Sequence, residues 1–99
     1  MIDLSKVTRF DWDEGKARKN EQHSVSIAEA EQVFFNFPLL VLPDPKHSES
    51  EPRFHALGKT TDGRRLHISF TLRGGGEAIR VISARDMHRK ERVIYEQAS

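Results

Sequence analysis

The chain has 99 residues, a formal net charge of +1 and no cysteine. A single domain spanning residues 1–99 is the expectation; disulfides, thiolate metal sites and a cysteine nucleophile are excluded, and so is the whole-molecule field of a strongly basic nucleic-acid binder. Met1–Lys6 lacks the apolar core of a signal peptide and no apolar run is long enough to span a bilayer, so a soluble cytoplasmic protein without membrane contact is expected.

Charge is segregated along the chain. Acidic residues gather at 11–14, 29–31 and 44–51, whereas Arg64, Arg65, Arg73, Arg80, Arg85, Arg89 and Arg92 crowd the second half. Such a distribution permits a local site for an anionic ligand.

Val7 to Phe10 reads as a short edge strand. The segment from Asp13 to Gln22 has helix-forming residues but almost no apolar stripe, and Lys16, Lys19, Asn20 and His23 fall on one face at 100° per residue, with Trp12 as anchor. Ser26-Ile-Ala-Glu29 is a capping box placed before Ile27, Ala30, Val33 and Phe34, which predicts an amphipathic helix that Pro38 stops. Phe34, Phe35 and Phe37 read as packing residues. Leu39–Leu42 is a short apolar run, and residues 43–52, with three prolines, read as a mobile surface loop.

Three strands are then expected, Arg53 to Gly58, Arg65 to Leu72 and Ala78 to Ala84, joined by an Asp62-Gly63 turn and by Gly74-Gly-Gly76, which makes an antiparallel meander. Leu66, Ile68, Phe70 and Leu72 alternate with Arg65, His67, Ser69, Thr71 and Arg73, one face toward a core and one polar and outward. Ala78–Ala84 is apolar on both faces, so Arg80 within it either pairs with a carboxylate or points into a ligand site. From about Asp86 to Glu96 a helix is expected, capped by Ser83 or Asp86, with Arg85, Arg89 and Arg92 on one face and His88 and Tyr95 beside them.

The five histidines show neither an H-x3-H nor an HExxH pattern, so no metal or other cofactor is expected. No serine occupies a Gly-x-Ser-x-Gly elbow, and the triple glycine lacks the Lys-Ser/Thr of a phosphate-binding loop. Arginine, histidine, lysine and tyrosine remain. They suffice for cleavage of RNA by its own 2′-hydroxyl, which needs a base, an acid and cations against the phosphorane, and arginine binds phosphate bidentately.

The order of motifs carries a resemblance over essentially the whole chain. Phe10-Asp-Trp-Asp13, Lys16-Ala17, Asn20, His23-Ser-Val-Ser26, Glu29-Ala30, Val33-Phe34, Asp44, His47-Ser48, Glu51, Arg53, Leu57-Gly58, Gly63-Arg64, Arg80-Val-Ile-Ser-Ala-Arg85, Arg89-x-Glu91-Arg92 and Tyr95 resemble the BrnT toxins of bacterial type II toxin-antitoxin systems. Gln22-His23-Ser24 departs from the family's usual Lys-His-Gly. The resemblance implies a RelE-like α+β fold, two N-terminal helices packed on an antiparallel sheet of about four strands with a C-terminal helix, and a ribonuclease that inhibits translation. It also implies a BrnA-type ribbon-helix-helix antitoxin as partner, RNA as substrate, and operator DNA bound only through the toxin-antitoxin complex.

On that frame His23 is expected to transfer protons, Arg64, Arg80 and Arg85 to contact the scissile phosphate, and Tyr95 to orient the base or stack on RNA. Lys16, Lys19, Arg73, Arg89 and Arg92 are expected to hold flanking phosphates. Two alternatives stay open: a non-enzymatic nucleic-acid-binding module, and a protein-interaction domain using the same basic helix.

Overall fold

A computed structural model describes residues 4–12, 24–47 and 51–98. Its core is a five-stranded sheet in the order β1-β5-β4-β3-β2, formed by β1 (Arg9–Asp11), β2 (Leu40–Pro43), β3 (Arg53–Lys59), β4 (Arg65–Arg73) and β5 (Ala78–Asp86). Helix α1 (Ile27–Val33) packs on one face and helix α2 (Arg89–Ala98) follows β5 on the other. No helix among the described residues is long and apolar enough to cross a membrane.

The expected meander is present: β3, β4 and β5 pair antiparallel. Gly63 turns at φ +88°, and Gly74, Gly75 and Gly76 all hold positive φ, a region only glycine adopts without strain. The sheet is nonetheless mixed and has five strands, which corrects the expectation of an antiparallel sheet of about four. β1 pairs parallel to β5, Phe10 opposite Ile79, through a long crossover that no local turn signal announces. Leu40–Pro43 adds the fifth strand at the opposite edge, where its bounding prolines are tolerated.

Of the two expected N-terminal helices, the segment Asp13–Gln22 lies outside the described residues. The second starts as its capping box dictates: the Glu29 amide donates to Ser26 Oγ at 3.1 Å and the Ser26 amide donates to Glu29 Oε1 at 3.1 Å. It ends at Val33, five residues before Pro38, because the Asn36 amide donates to Gln32 O and to Lys59 O at 3.1 Å, drawing the next turn onto β3. Phe34 therefore enters the core, its ring edge-on to Phe70 at 5.2 Å. Phe35 and Phe37 are instead 72% and 83% exposed, which corrects their reading as packing residues.

Between α1 and the sheet lie Val25, Ala30, Val33, Ala56, Leu66, Ile68, Phe70, Ile79, Val81 and Ala84. Gly58 sets the approach of the two layers: a Cβ there would stand 2.6 Å from Val33 Cγ1. The opposite sheet face is polar but not outward as alternation suggested. His67, Ser69 and Thr71 are buried: α2 packs on this side through Met87 and Tyr95, against Leu57 and Leu40, and farther along the strand the Thr71 hydroxyl donates to Pro52 O at 2.6 Å.

Candidate active site

Strand register orders the α2-side face into three rows, because residues directly opposed in a sheet share a face. Leu57, His67 and Arg85 form the first, His55, Ser69 and Ser83 the second, and Arg53, Thr71 and Arg80 the third. A bulge between Ser69 and Phe70 inserts Ile82 into β5, which is how Arg80 and Ser83, odd in spacing, reach the same face. An open cleft of about 490 Å³ lies over the first two rows, walled by Leu42, Glu91 and Ile94. That is within the range of ligand sites.

Arg85 is held by Glu91, from the first turn of α2. Nη1 donates to Glu91 Oε1 at 2.8 Å and Nη2 to Oε2 at 2.9 Å, and Nη1 also donates to Asp86 O at 3.1 Å. Three of five guanidinium donors are thereby used; among the described residues Nε–H and one Nη2–H have no partner, and they lie along one edge, the pair that suits a phosphate. Glu91 also accepts from the His88 amide at 2.7 Å, half of a capping box that fixes it to the helix start. Burial pushes its carboxyl upward, but the Arg85 hydrogen bonds, the His88 amide and the neighbouring charges outweigh this and hold it down at about 2.

His67, 7% exposed, lies beneath this pair. Burial first, then the Arg85 guanidinium, push its imidazole down to about 4 against the pull of Glu91. The ring is neutral at pH 7, so the 3.7 Å approach of Nε2 to Glu91 Oε2 is not an ion pair there. Its Nδ1 is buried without a hydrogen-bond partner among the described residues, the kind of deficit that calls for a structural or functional explanation.

His55 rests on His67 with ring centroids 4.7 Å apart. Its Nε2 lies 2.9 Å from Asp44 Oδ2 and its Nδ1 3.2 Å from Ser69 Oγ. The His55 side chain is 30% exposed, Asp44 only 7%. A carboxylate, an imidazole with both nitrogens engaged, a hydroxyl and a guanidinium thus share one cleft. They can move a proton beside a bound anion.

The residues expected from sequence divide into groups. Arg85 lines the cleft, on β5 and not on the helix face with Arg89 and Arg92. Arg80 lies on the same sheet face one row past Ser83, partly buried. Arg89 and Arg92 are exposed on α2. Arg73 donates to Glu51 Oε1 at 3.1 Å.

Arg64 is placed on the α1 side of the sheet. Its Nε and Nη2 donate to Asp86 at 2.8 and 3.1 Å, and Nη1 donates to Ser24 O at 2.6 Å and to Glu29 Oε2 at 3.1 Å. The Asp86 hydrogen bonds foremost raise its pKa, and Asp86 in turn lies below the usual carboxylate range. Asp86 is therefore occupied and does not cap α2. Tyr95 is buried, its hydroxyl donating to Pro38 O at 2.6 Å, and burial pushes its phenol up. Neither lines the cleft. Lys16, Lys19 and His23 lie outside the described residues.

Sequence reasoning overlooked His55, Asp44, Ser69 and Ser83. The available signal was the register of neighbouring strands, which sets His55 opposite Ser69 and next to His67 across the hairpin. Asp44, read as loop, packs under β3 because its amide donates to Arg53 O at 2.9 Å.

The architecture defines a small α+β domain with a histidine-arginine cleft between its sheet and its C-terminal helix. Residues 12–91 match the family model described as the ribonuclease toxin, BrnT, of type II toxin-antitoxin systems, and the chain belongs to that family. Its fold is similar to the 1.1 Å crystal structure of the Brucella abortus ribonuclease toxin BrnT, with a TM-score of 0.63 and 26% identity over 84% of this chain and 100% of that one. No curated protein matches the sequence.

Proposed function

We propose that this chain is an endoribonuclease that cleaves RNA without a metal, at the cleft that α2 forms with strands β3, β4 and β5, and so inhibits translation. The observation that carries the reading is the edge of Arg85 that meets no partner among the described residues, beside the partly exposed His55. The guanidinium binds the scissile phosphate and stabilises charge on the phosphorane. His55 takes the 2′-proton, the 2′-oxygen bonds to phosphorus, the bond to the 5′-oxygen breaks, water protonates the leaving 5′-oxygen, and the resulting hydroxide takes the proton back from His55. The products carry a 2′,3′-cyclic phosphate and a 5′-hydroxyl.

In this reading the proton-transfer role expected of His23 falls on His55. Arg80, about 14 Å along the strand from Arg85 at two residues per row, takes a phosphate farther along the RNA, as do Arg89, Arg92, Arg73, Lys16 and Lys19. Arg64 and Tyr95 support the scaffold. A protein antitoxin follows from membership of a type II family, and we assign it to the BrnA ribbon-helix-helix type, with operator DNA bound only through the complex.

The test is incubation of the purified chain with RNA in EDTA. Discrete fragments ending in 2′,3′-cyclic phosphate support the reading. Cleavage that requires added Mg²⁺, or intact RNA in both conditions, contradicts it.

A further inference from the structure

We infer that Asp44 is a positioning residue for this chemistry: it keeps the proton of the His55 ring on Nε2, so that Nδ1 is the atom presented to a substrate hydroxyl. The inference rests on the reading of the cleft as a ribonuclease site, and it goes further in naming the residue that fixes the ring and the nitrogen that reacts.

Asp44 is built to hold still. It sits between Pro43 and Pro45, and a residue before proline is confined to extended backbone. Its amide is tied to Arg53 O, at the start of β3, at 2.9 Å, and the residue is 6% exposed. A carboxylate withdrawn from water this far is costly unless hydrogen-bonded. Here it meets a histidine two residues along the strand to which its own amide is tied, at 2.9 Å.

A carboxylate oxygen only accepts, so the proton of that contact belongs to Nε2. In the neutral ring Nδ1 then carries the lone pair, and the hydroxyl 3.2 Å away on Ser69 is its donor. Ser69 is not itself a nucleophile in the manner of a hydrolase. It lies in the middle of β4, paired on both sides to β3 and β5, where the strand backbone forms ladders and not an oxyanion hole. For Nδ1 to accept from an RNA 2′-hydroxyl instead, the Ser69 hydroxyl must turn away from it when substrate enters the cleft. A carboxylate that fixes tautomer and ring orientation in this way serves the reaction without touching substrate.

The experiment compares wild type, Asp44→Asn and His55→Ala for single-turnover RNA cleavage and for binding of RNA carrying a 2′-deoxy sugar at the scissile position, with ¹⁵N spectra of the His55 ring. The expected result is that Asp44→Asn binds the uncleavable RNA as wild type does but cleaves about 10²- to 10³-fold more slowly. In wild type the neutral ring shows the Nε2–H form, and in the variant that preference is lost. Full cleavage by Asp44→Asn while His55→Ala is inactive would overturn the role of Asp44 alone. Full cleavage by His55→Ala would overturn the assignment of the proton transfer to His55 instead. If Asp44→Asn does not fold, the wild-type spectrum decides, because an Nδ1–H ring contradicts the inference.

Discussion

Arg85 and Glu91 face each other as two parallel hydrogen bonds of 2.8 and 2.9 Å, joining the end of β5 to the first turn of α2 across the mouth of the cleft. Glu91 aims the guanidinium and uses only one of its edges. Glu91→Gln removes the charge and one of the two acceptors while keeping the shape. The expected outcome is RNA cleavage reduced at least about tenfold and a folding stability lower by about 1–3 kcal/mol, the usual cost of leaving such a hydrogen-bonded charge half paired. Paired cleavage kinetics and denaturant unfolding check this.

The buried His67 makes stability fall in mild acid. Its folded-state value of about 4 lies below the ordinary 6.5, so the unfolded chain binds the proton more readily. The neutral ring's contribution is complete above pH 6.5 and is lost as the pH falls toward 4, bounded at about 3 kcal/mol by the gap between those values. Glu91, held at about 2, contributes above its ordinary 4.5 and keeps doing so until more acid conditions. Unfolding free energies measured between pH 7 and pH 5.5 are expected to decline for wild type and to decline less over that interval for His67→Gln.

Gly58 carries no positive φ; what it supplies is room. Gly58→Ala places a methyl 2.6 Å from Val33 Cγ1 and 3.3 Å from Val33 O, so α1 must shift from the sheet. Overpacking of this kind costs about 1–3 kcal/mol. Thermal unfolding is expected to show it, with cleavage per folded molecule unchanged, since the cleft is on the other face.

Tyr95 and Arg64 separate support from chemistry. Tyr95→Phe loses the hydrogen bond to Pro38 O and is expected to cost about 1–2 kcal/mol while cleaving RNA at the wild-type rate. Arg64→Ala cuts the link between Asp86, Ser24 and Glu29 and is expected to lower stability more than it lowers single-turnover cleavage at saturating RNA. A Tyr95→Phe variant that folds and fails to cleave would return the phenol to the site.

Much of the scaffold was legible because local chemistry fixed it. The Ser26–Glu29 box, the Asp62-Gly63 turn and the period-two pattern of Leu66 to Leu72 each specify their own conformation. What was not legible depended on contacts distant in sequence. The parallel seating of Arg9–Asp11 on Ala78–Arg80 has no local signature, and the polar face of β4 could not be known as buried before α2 was placed on it. The same holds for the site. Arginine enrichment pointed to the β5–α2 segment, which supplies Arg85 and Glu91 to the cleft, yet Arg64 and Arg85, alike in sequence, lie on opposite faces. The Asp44–His55–Ser69 chain joins a loop to two strands, so its members are neighbours only after the sheet has formed.

The most direct test is single-turnover cleavage of RNA in EDTA by Arg85→Ala and Arg85→Lys, each verified as folded. A phosphate grip that uses two donors on one guanidinium edge predicts a loss of about 10²- to 10³-fold for alanine and poor rescue by lysine, whose single ammonium cannot reproduce the fork. Wild-type cleavage by folded Arg85→Ala would contradict the placement of the active site in this cleft.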